Sequence, residues 1–397
     1  MTGATTKNNS ELQKSVTVRG TIVNILISFV IFCFFIVTLE IILRTTHLFG
    51  ARVCIGKPDV TLSYRYIPNC KYWYYKENDH PITGKMNSYG WRDKEWSLKK
   101  PPNTYRIAVL GDSFVEAFQV ESERTFLALT ESELNKNFVQ KVELLNFGRS
   151  GFTQTEELLV LKNHVEQLSP DMVIVFFYPL NDIEEVSRET AFDLLRPFYI
   201  IAGKGELVLD TSFSKMPEFK TKCFVSKLKQ HSALISIIGE RYRDVAARKE
   251  SKVLGVEILP SGIDKYLSLC TANPDTKYYK NYQLNKILIK TMAEHCKQKG
   301  IPFMLVTIDN DAYRPEEENR YKSIDPTFDA NYFEDDLGNY AVSLNIEYLG
   351  LQRAFRKAYE NTGIPLHWGH WNYQGHEVVA NALADKLKSV IVSSTEW

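Results

Sequence analysis

Tyr105-Arg106-Ile107-Ala108-Val109-Leu110-Gly111-Asp112-Ser113-Phe114 is the stretch on which the fold turns. The mainly apolar run from Tyr105 to Leu110 has the composition of a strand buried on both faces, and Gly111-Asp112 stops it at once. A strand running into Gly-Asp-Ser and then a helix holds a hydroxyl on a tight turn, with a helix amino terminus nearby to favour developing negative charge. Acyl transfer asks this of its nucleophile. Gly-Asp-Ser is also an ordinary helix cap, so Ser113 has to be judged by the residues downstream of it.

Downstream the chain alternates. A helix is expected over Thr125 to Asn137, a strand at Val142 to Phe147, a helix from Thr153 to Gln167, and a strand at Met172 to Tyr178 after the breaker Ser169-Pro170-Asp171. The order resumes with a helix near Tyr282 to Lys299, a strand at Pro302 to Ile308, and a last helix from Tyr373 to Leu387. Strands alternating with helices imply right-handed crossovers and a parallel sheet covered on both faces, a three-layer α/β/α class with a flavodoxin-like sheet. Residues 183–280 break the alternation and read as an insertion. Within it Pro197 to Asp210 suggests a hairpin, its strands flanking Gly203-Lys204-Gly205, and Phe224 to Lys249 suggests an amphipathic helix. The insertion could serve as a lid or substrate wall, or be a solvent-facing decoration.

Upstream, residues 44–103 form an aromatic-rich lead-in with weak periodicity, including Tyr64, Tyr66, Tyr72, Trp73, Tyr74 and Tyr75, expected to pack on the main domain at 104–397. The Tyr72 to Tyr75 cluster suits sugar stacking, an interfacial belt or core equally. Before the lead-in, Gly20 to Leu39 carries no charge and is long enough to cross a bilayer as a helix. Residues 20–43 are therefore expected to be a transmembrane anchor after a short tail, 1–19, with a cleaved signal peptide as the other reading. Basic residues flank both ends, so charge barely selects an orientation. The short tail is expected in the cytoplasm and the long domain outside, in the periplasm or extracellular space.

Composition narrows the function. The 397 residues balance 48 Lys+Arg against 48 Asp+Glu, which gives no field to draw nucleic acid, and 44% are hydrophobic, which suits a globular core. Six cysteines show no C-x-x-C spacing; in an oxidising compartment Cys54 with Cys70 and Cys223 with Cys270 are possible bridges, free buried thiols being the alternative.

Four separated blocks then fall in order: Gly111-Asp112-Ser113-Phe114; Asn146-Phe147-Gly148-Arg149-Ser150-Gly151 at a strand end; Asn181-Asp182 after the strand ending at Tyr178; and His370-Trp371-Asn372-Tyr373-Gln374-Gly375-His376 leading into a helix. With these blocks the chain resembles the SGNH (GDSL-type) hydrolase family over about Asn87 to Leu387. The lead-in Asn87-Ser88-Tyr89-Gly90-Trp91-Arg92-Asp93 resembles one in membrane-anchored members. The resemblance implies an ester hydrolase with Ser113 as nucleophile and His370 as general base and acid. Ser113 N–H, the Gly151 N–H and the Asn181 amide would form the oxyanion hole. It implies no cofactor and no metal. The substrate would be an O-acyl ester, with an envelope glycan or lipid in view. Transfer of the acyl group to an envelope polysaccharide is the first alternative, and a catalytically weak assembly or binding protein the second.

One departure stands out. The family places an aspartate two or three residues before its histidine, whereas this chain has His367-Trp368-Gly369-His370. Either a backbone carbonyl holds the ring or an acid arrives from elsewhere, with Asp309 and Asp311 as weak candidates. His367, His370 and His376 lack a ligand motif, and His376 is expected to pack on the terminal helix. Asp112 is expected to bond its own turn, and Asp182, Glu184 and Glu185 to lie in a solvated loop.

Overall fold

A computed structural model of the chain describes residues 4–46, 56–74, 76–203, 205–239, 241–242, 263 and 265–395. They fall into two compact units, Met1–Cys54 with Lys227–Asp244, and Ile55–Ser226 with Val245–Trp397.

The smaller unit is built on the helix Ala4–Thr46, whose portion Arg19–Thr46 is long and apolar enough to cross a membrane. Near its end Glu40 accepts hydrogen bonds from the backbone N–H groups of Ala233 (2.8 Å) and Leu234 (3.1 Å) and from the Ser232 hydroxyl (2.9 Å). This carboxylate caps a second helical segment at 233–239, so the single helix expected from Phe224 is broken: one helix, Pro217–His231, ends where another begins. The remainder of that expected helix, from 243, lies outside the described residues.

In the larger unit the lead-in is more regular than its sequence suggests. β1 (Gly56–Asp59) pairs with β2 (Ser63–Tyr66), and β3 (Lys71–Tyr74) with β4 (Ile82–Lys85), as two antiparallel hairpins. Four-residue strands are too short to show a period. β5 (Thr104–Gly111), β6 (Lys141–Gly148) and β7 (Met172–Phe177) come next, and the hairpin of β8 (Phe198–Ala202) and β9 (Glu206–Asp210) stands in the insertion. β10 (Phe303–Thr307) and β11 (Glu347–Gly350) are the last strands among the described residues.

Five of these make one parallel sheet in the order β11-β10-β7-β5-β6. Counted along the chain that order is 2-1-3-4-5, the flavodoxin-like arrangement. Every residue of β5 and β7 is buried. Successive side chains alternate between the two faces of the sheet. Ala108, Leu110, Val173 and Val175 join one core with the helices Gln154–Val160, Thr276–Gln298 and Tyr332–Leu344. Ile107, Val109, Ile174 and Phe176 join the other with Phe126–Asn137, Gln352–Thr362 and Tyr373–Thr395. β11 was not expected; its four residues are only half-buried at the sheet edge and carry little apolar signal.

Cys223 and Cys270 are free thiols, so the bridge possible between them does not form. Cys54 lies outside the described residues, as do Tyr75 and Lys204.

Arg106 is fully buried in β5 and donates from Nε to Glu143 of β6 at 2.8 Å and from a terminal nitrogen to the Leu168 carbonyl at 3.0 Å. Removing one member of such a pair strands a charge away from water. Arg106→Leu is therefore expected to cost about 3–5 kcal/mol by urea unfolding, and Arg106→Leu with Glu143→Leu much less. Equal losses in the single and double variants would contradict this account.

Candidate active site

All four blocks lie at the carboxyl edge of the sheet, the customary site of chemistry in open parallel sheets. β5 ends at Gly111, and Asp112 caps the turn Ser113–Glu116 by accepting the Phe114 N–H at 2.9 Å. Ser113 thereby opens the turn just past the strand. β6 runs beside it, and Asn146 donates to the Val115 carbonyl at 3.0 Å. A Cβ at Gly148 would collide with the backbone of Val115 and Glu116, so only glycine lets the second block lie against the Ser113 turn.

His370 sits on a tight loop before the helix Tyr373–Thr395. Asn372 holds the loop, accepting the Gly375 N–H at 3.0 Å and donating to the Pro365 carbonyl at 2.7 Å. The imidazole Nε2 is 2.7 Å from Ser113 Oγ. On its other side Nδ1 is 2.8 Å from Glu77 Oε1, while the His370 backbone N–H donates to Glu77 Oε2 at 2.8 Å. Tyr74 adds a hydrogen bond from its hydroxyl to Glu77 Oε1 at 2.6 Å. Serine, histidine and glutamate thus form a continuous chain of hydrogen bonds.

Glu77 is the residue that sequence reasoning missed. It lies in the lead-in just after β3, 293 positions from its partner, and no local motif marks it. The weak candidates are corrected. Asp309 accepts the Trp371 indole N–H at 3.0 Å and stands 3.0 Å from His367 Nε2, though out of line for a hydrogen bond there. Asp311 lines a neighbouring cleft.

The electrostatics of the pair agree with its geometry. Burial would raise the Glu77 pKa, but the bond and charge of His370, with Tyr74, bring it down to about 2. Burial would depress His370, yet the Glu77 bond and charge, with the charge of Asp112, leave its pKa above the ordinary histidine value. Burial lifts Asp112 itself to about 6, opposed by the Phe114 N–H, the His370 charge and the Asn181 amide.

Gly151 has φ +73, a left-handed conformation, and a Cβ there would meet nothing within 4 Å. Asn181 opens the helix Asn181–Glu185 after β7 and donates to the Phe152 carbonyl at 3.1 Å. Touching both Asp112 and Phe152, it bridges the Ser113 turn and the Gly151 loop.

Two expectations about nearby groups change. Asp182 is fully buried, accepting the Tyr178 N–H at 2.7 Å and the Gln154 amide at 2.9 Å, because its carboxylate closes the turn at the end of β7. Glu185 reaches the guanidinium of Arg196 at 3.2 Å rather than lying free in solvent. His376 does pack inside, taking the Phe126 N–H at 3.2 Å, and burial pulls its pKa down to about 3. Tyr72 is core, with Arg92 donating to its hydroxyl at 2.8 Å.

Next to the His370 loop opens a cleft of about 710 Å³, lined by His367, Trp368 and Gly369 but by neither Ser113 nor His370. Tyr178, Tyr278, Tyr313 and Trp368 supply aromatic walls, and Lys265, Arg314, Glu184 and Asp311 also line it. Aromatic faces with interspersed polar groups suit a hydroxyl-rich ligand.

No protein-family model and no curated protein matches this chain. Solved structures similar to it include an acetyl xylan esterase, AlAXEase, 14% identical with a TM-score of 0.39, covering 72% of this chain and 99% of that one. Another is a G-D-S-L family protein described as lipolytic, from Desulfitobacterium hafniense DCB-2, 12% identical with a TM-score of 0.35, covering 71% and 99%. LAE5, an alpha/beta hydrolase enzyme from the metagenome of Lake Arreo, is 16% identical with a TM-score of 0.38, covering 71% and 94%. Likeness this slight decides neither family nor activity, which the geometry of the site has to carry.

Because Glu77 holds the His370 pKa up, Glu77→Gln is expected to shift the His370 ring titration to lower pH, followed by its NMR resonances. An unchanged midpoint would remove Glu77 from the assignment.

Proposed function

We propose that the protein is a serine ester hydrolase of SGNH type, anchored to a membrane by its amino-terminal helix. The single observation that carries this reading is the hydrogen-bonded chain from Ser113 through His370 to Glu77, at 2.7 and 2.8 Å. In the reaction His370 Nε2 takes the Ser113 proton as Oγ attacks an acyl carbonyl, and the Glu77 carboxylate stabilises the imidazolium that forms. Negative charge on the carbonyl oxygen is received by the N–H groups of Ser113 and Gly151 and by the Asn181 amide, which gives up one of its bonds, to Phe152 or Asp112, to reach it. Collapse breaks the ester bond, and His370 returns its proton to the leaving alcohol. Water, deprotonated by the same ring, then attacks the acyl-enzyme and frees Ser113. No step requires a cofactor.

The substrate in this reading is an O-acyl ester on an envelope glycan or lipid. The aromatic cleft next to the His370 loop favours a glycan, since ring faces and tyrosine hydroxyls complement a sugar. The same cleft supports the second reading, transfer of the acyl group to a glycan hydroxyl. Comparing acetate release with acetyl transfer to an added oligosaccharide separates the two. A catalytically weak binding protein drew its support from the missing acid beside His370, and Glu77 removes that support. With the amino-terminal tail in the cytoplasm, the site would face the periplasm or cell exterior.

Ser113→Ala is expected to abolish labelling by a fluorophosphonate probe; retained labelling would sink the nucleophile assignment. Glu77→Ala is expected to lower kcat by about 10²- to 10⁴-fold on p-nitrophenyl acetate. Catalysis needs neutral His370, so the acid limb of kcat/KM should lie above pH ~6.5 and move down in Glu77→Gln.

A further inference from the structure

The peptide unit between Ser150 and Gly151 carries two groups that point in opposite directions, the Ser150 carbonyl and the Gly151 N–H. Whatever grips the carbonyl therefore aims the N–H. The Tyr64 hydroxyl donates to the Ser150 carbonyl oxygen at 2.7 Å. Tyr64 belongs to β2, in the same lead-in that brings Glu77 to His370.

The neighbouring peptide units are pinned as well. The Arg149 N–H donates to the Gly111 carbonyl at 3.0 Å, and the Phe152 N–H to the Arg149 carbonyl at 3.0 Å. The Ser150 N–H donates to Glu116 Oε2 at 2.9 Å, and the Ser150 hydroxyl bonds the same oxygen. On the far side Arg196, buried in the insertion, donates to the Gly151 carbonyl at 2.7 Å while it holds Glu156 at 2.7 Å. Among the described residues, three of the four N–H groups from Arg149 to Phe152 have protein acceptors, and that of Gly151 has none. Gly151 itself stands in open surroundings, since an added Cβ there would meet nothing within 4 Å.

We infer that Tyr64 is a positioning residue of the oxyanion hole, which orients and polarises the Gly151 N–H through the Ser150 carbonyl, with Arg196 gripping the next carbonyl from the opposite side. The inference rests on the reading of Ser113 as the nucleophile. A hydrogen bond accepted by a peptide carbonyl draws electron density toward that oxygen and makes the N–H of the same unit a stronger donor. A donor fixed before the reaction also spends nothing on reorientation when the oxyanion forms. Tyr64 suits this work: its ring packs edge-on against Phe152 at 6.1 Å and Tyr66 at 5.7 Å, which leaves the hydroxyl little choice of direction. Burial also pushes its phenol further above the ordinary value, so the group stays a donor across the working pH range.

The test uses full-length protein in detergent and Tyr64→Phe, which keeps the ring and deletes one oxygen. A donor aimed at the oxyanion acts on the transition state and not on the bound ester. The variant should therefore lose about tenfold in kcat on p-nitrophenyl acetate, with KM and the acid limb of the pH profile unchanged. Its affinity for phenylboronic acid, which forms a tetrahedral adduct on an activated serine, should weaken by a comparable factor. Unchanged kcat and boronate affinity would overturn the inference, and so would a loss that raises KM or shifts the acid limb. If Tyr64→Phe lowers the thermal midpoint, Arg196→Lys, which leaves the lead-in intact, must show the same split between kcat and KM for the inference to stand. A wild-type protein that neither turns over the ester nor binds the boronate would instead sink the reading of Ser113, and this inference with it.

Discussion

The contact between His370 and Glu77 is the interaction on which the rest of the site depends. A half-buried imidazole beside a serine is a poor base unless something fixes its tautomer and receives its positive charge. Glu77 does both, because one oxygen takes the ring Nδ1–H and the other takes the backbone N–H of the same residue. The second bond matters as much as the first. It ties the carboxylate to the loop as well as to the ring, so the two cannot drift apart independently.

The sheet supplies the other half of the arrangement. Parallel strands deliver their carboxyl ends to one edge, and β5, β6 and β7 bring Ser113, the glycine loop and Asn181 there from positions far apart in the chain. Close approach is secured by Gly148 on one strand and Val115 past the end of its neighbour. Buried polar groups then brace the edge from behind. Arg92 reaches from the lead-in to the carbonyls of Glu116 and Val120 at 2.8 and 2.6 Å, fixing the segment just after Ser113.

Much of this was legible in the residues, and the reasons differ by element. The strands at Tyr105, Val142, Met172 and Pro302 announced themselves because strands buried on both faces are written almost entirely in apolar residues. β11 and the lead-in hairpins were not legible, since four half-buried residues make no pattern. Ser113, Gly151, Asn181 and His370 could be singled out as candidates because each belongs to a short block whose neighbours form its local turn. Glu77 belongs to no such block. Its role comes from tertiary packing alone, and a carboxylate in an irregular loop reads as solvated surface. Asp182 was misread for the same reason: a run of acids after a strand resembles a loop until the burial of its first member is seen.

The two hairpins that precede β5 bear on where this protein begins as a working object. A chain cut just before Thr104 would keep all five parallel strands and would still carry Ser113 and His370, but it would lose Leu62, Trp91 and Trp96 from one hydrophobic layer. It would lack the carboxylate behind the histidine, the hydroxyl behind the glycine loop and the guanidinium of Arg92. The groups that brace the site therefore begin at Tyr64, well before the first strand of the sheet at Thr104. Trimming to the parallel sheet would leave Ser113 and His370 without the groups that brace them from behind.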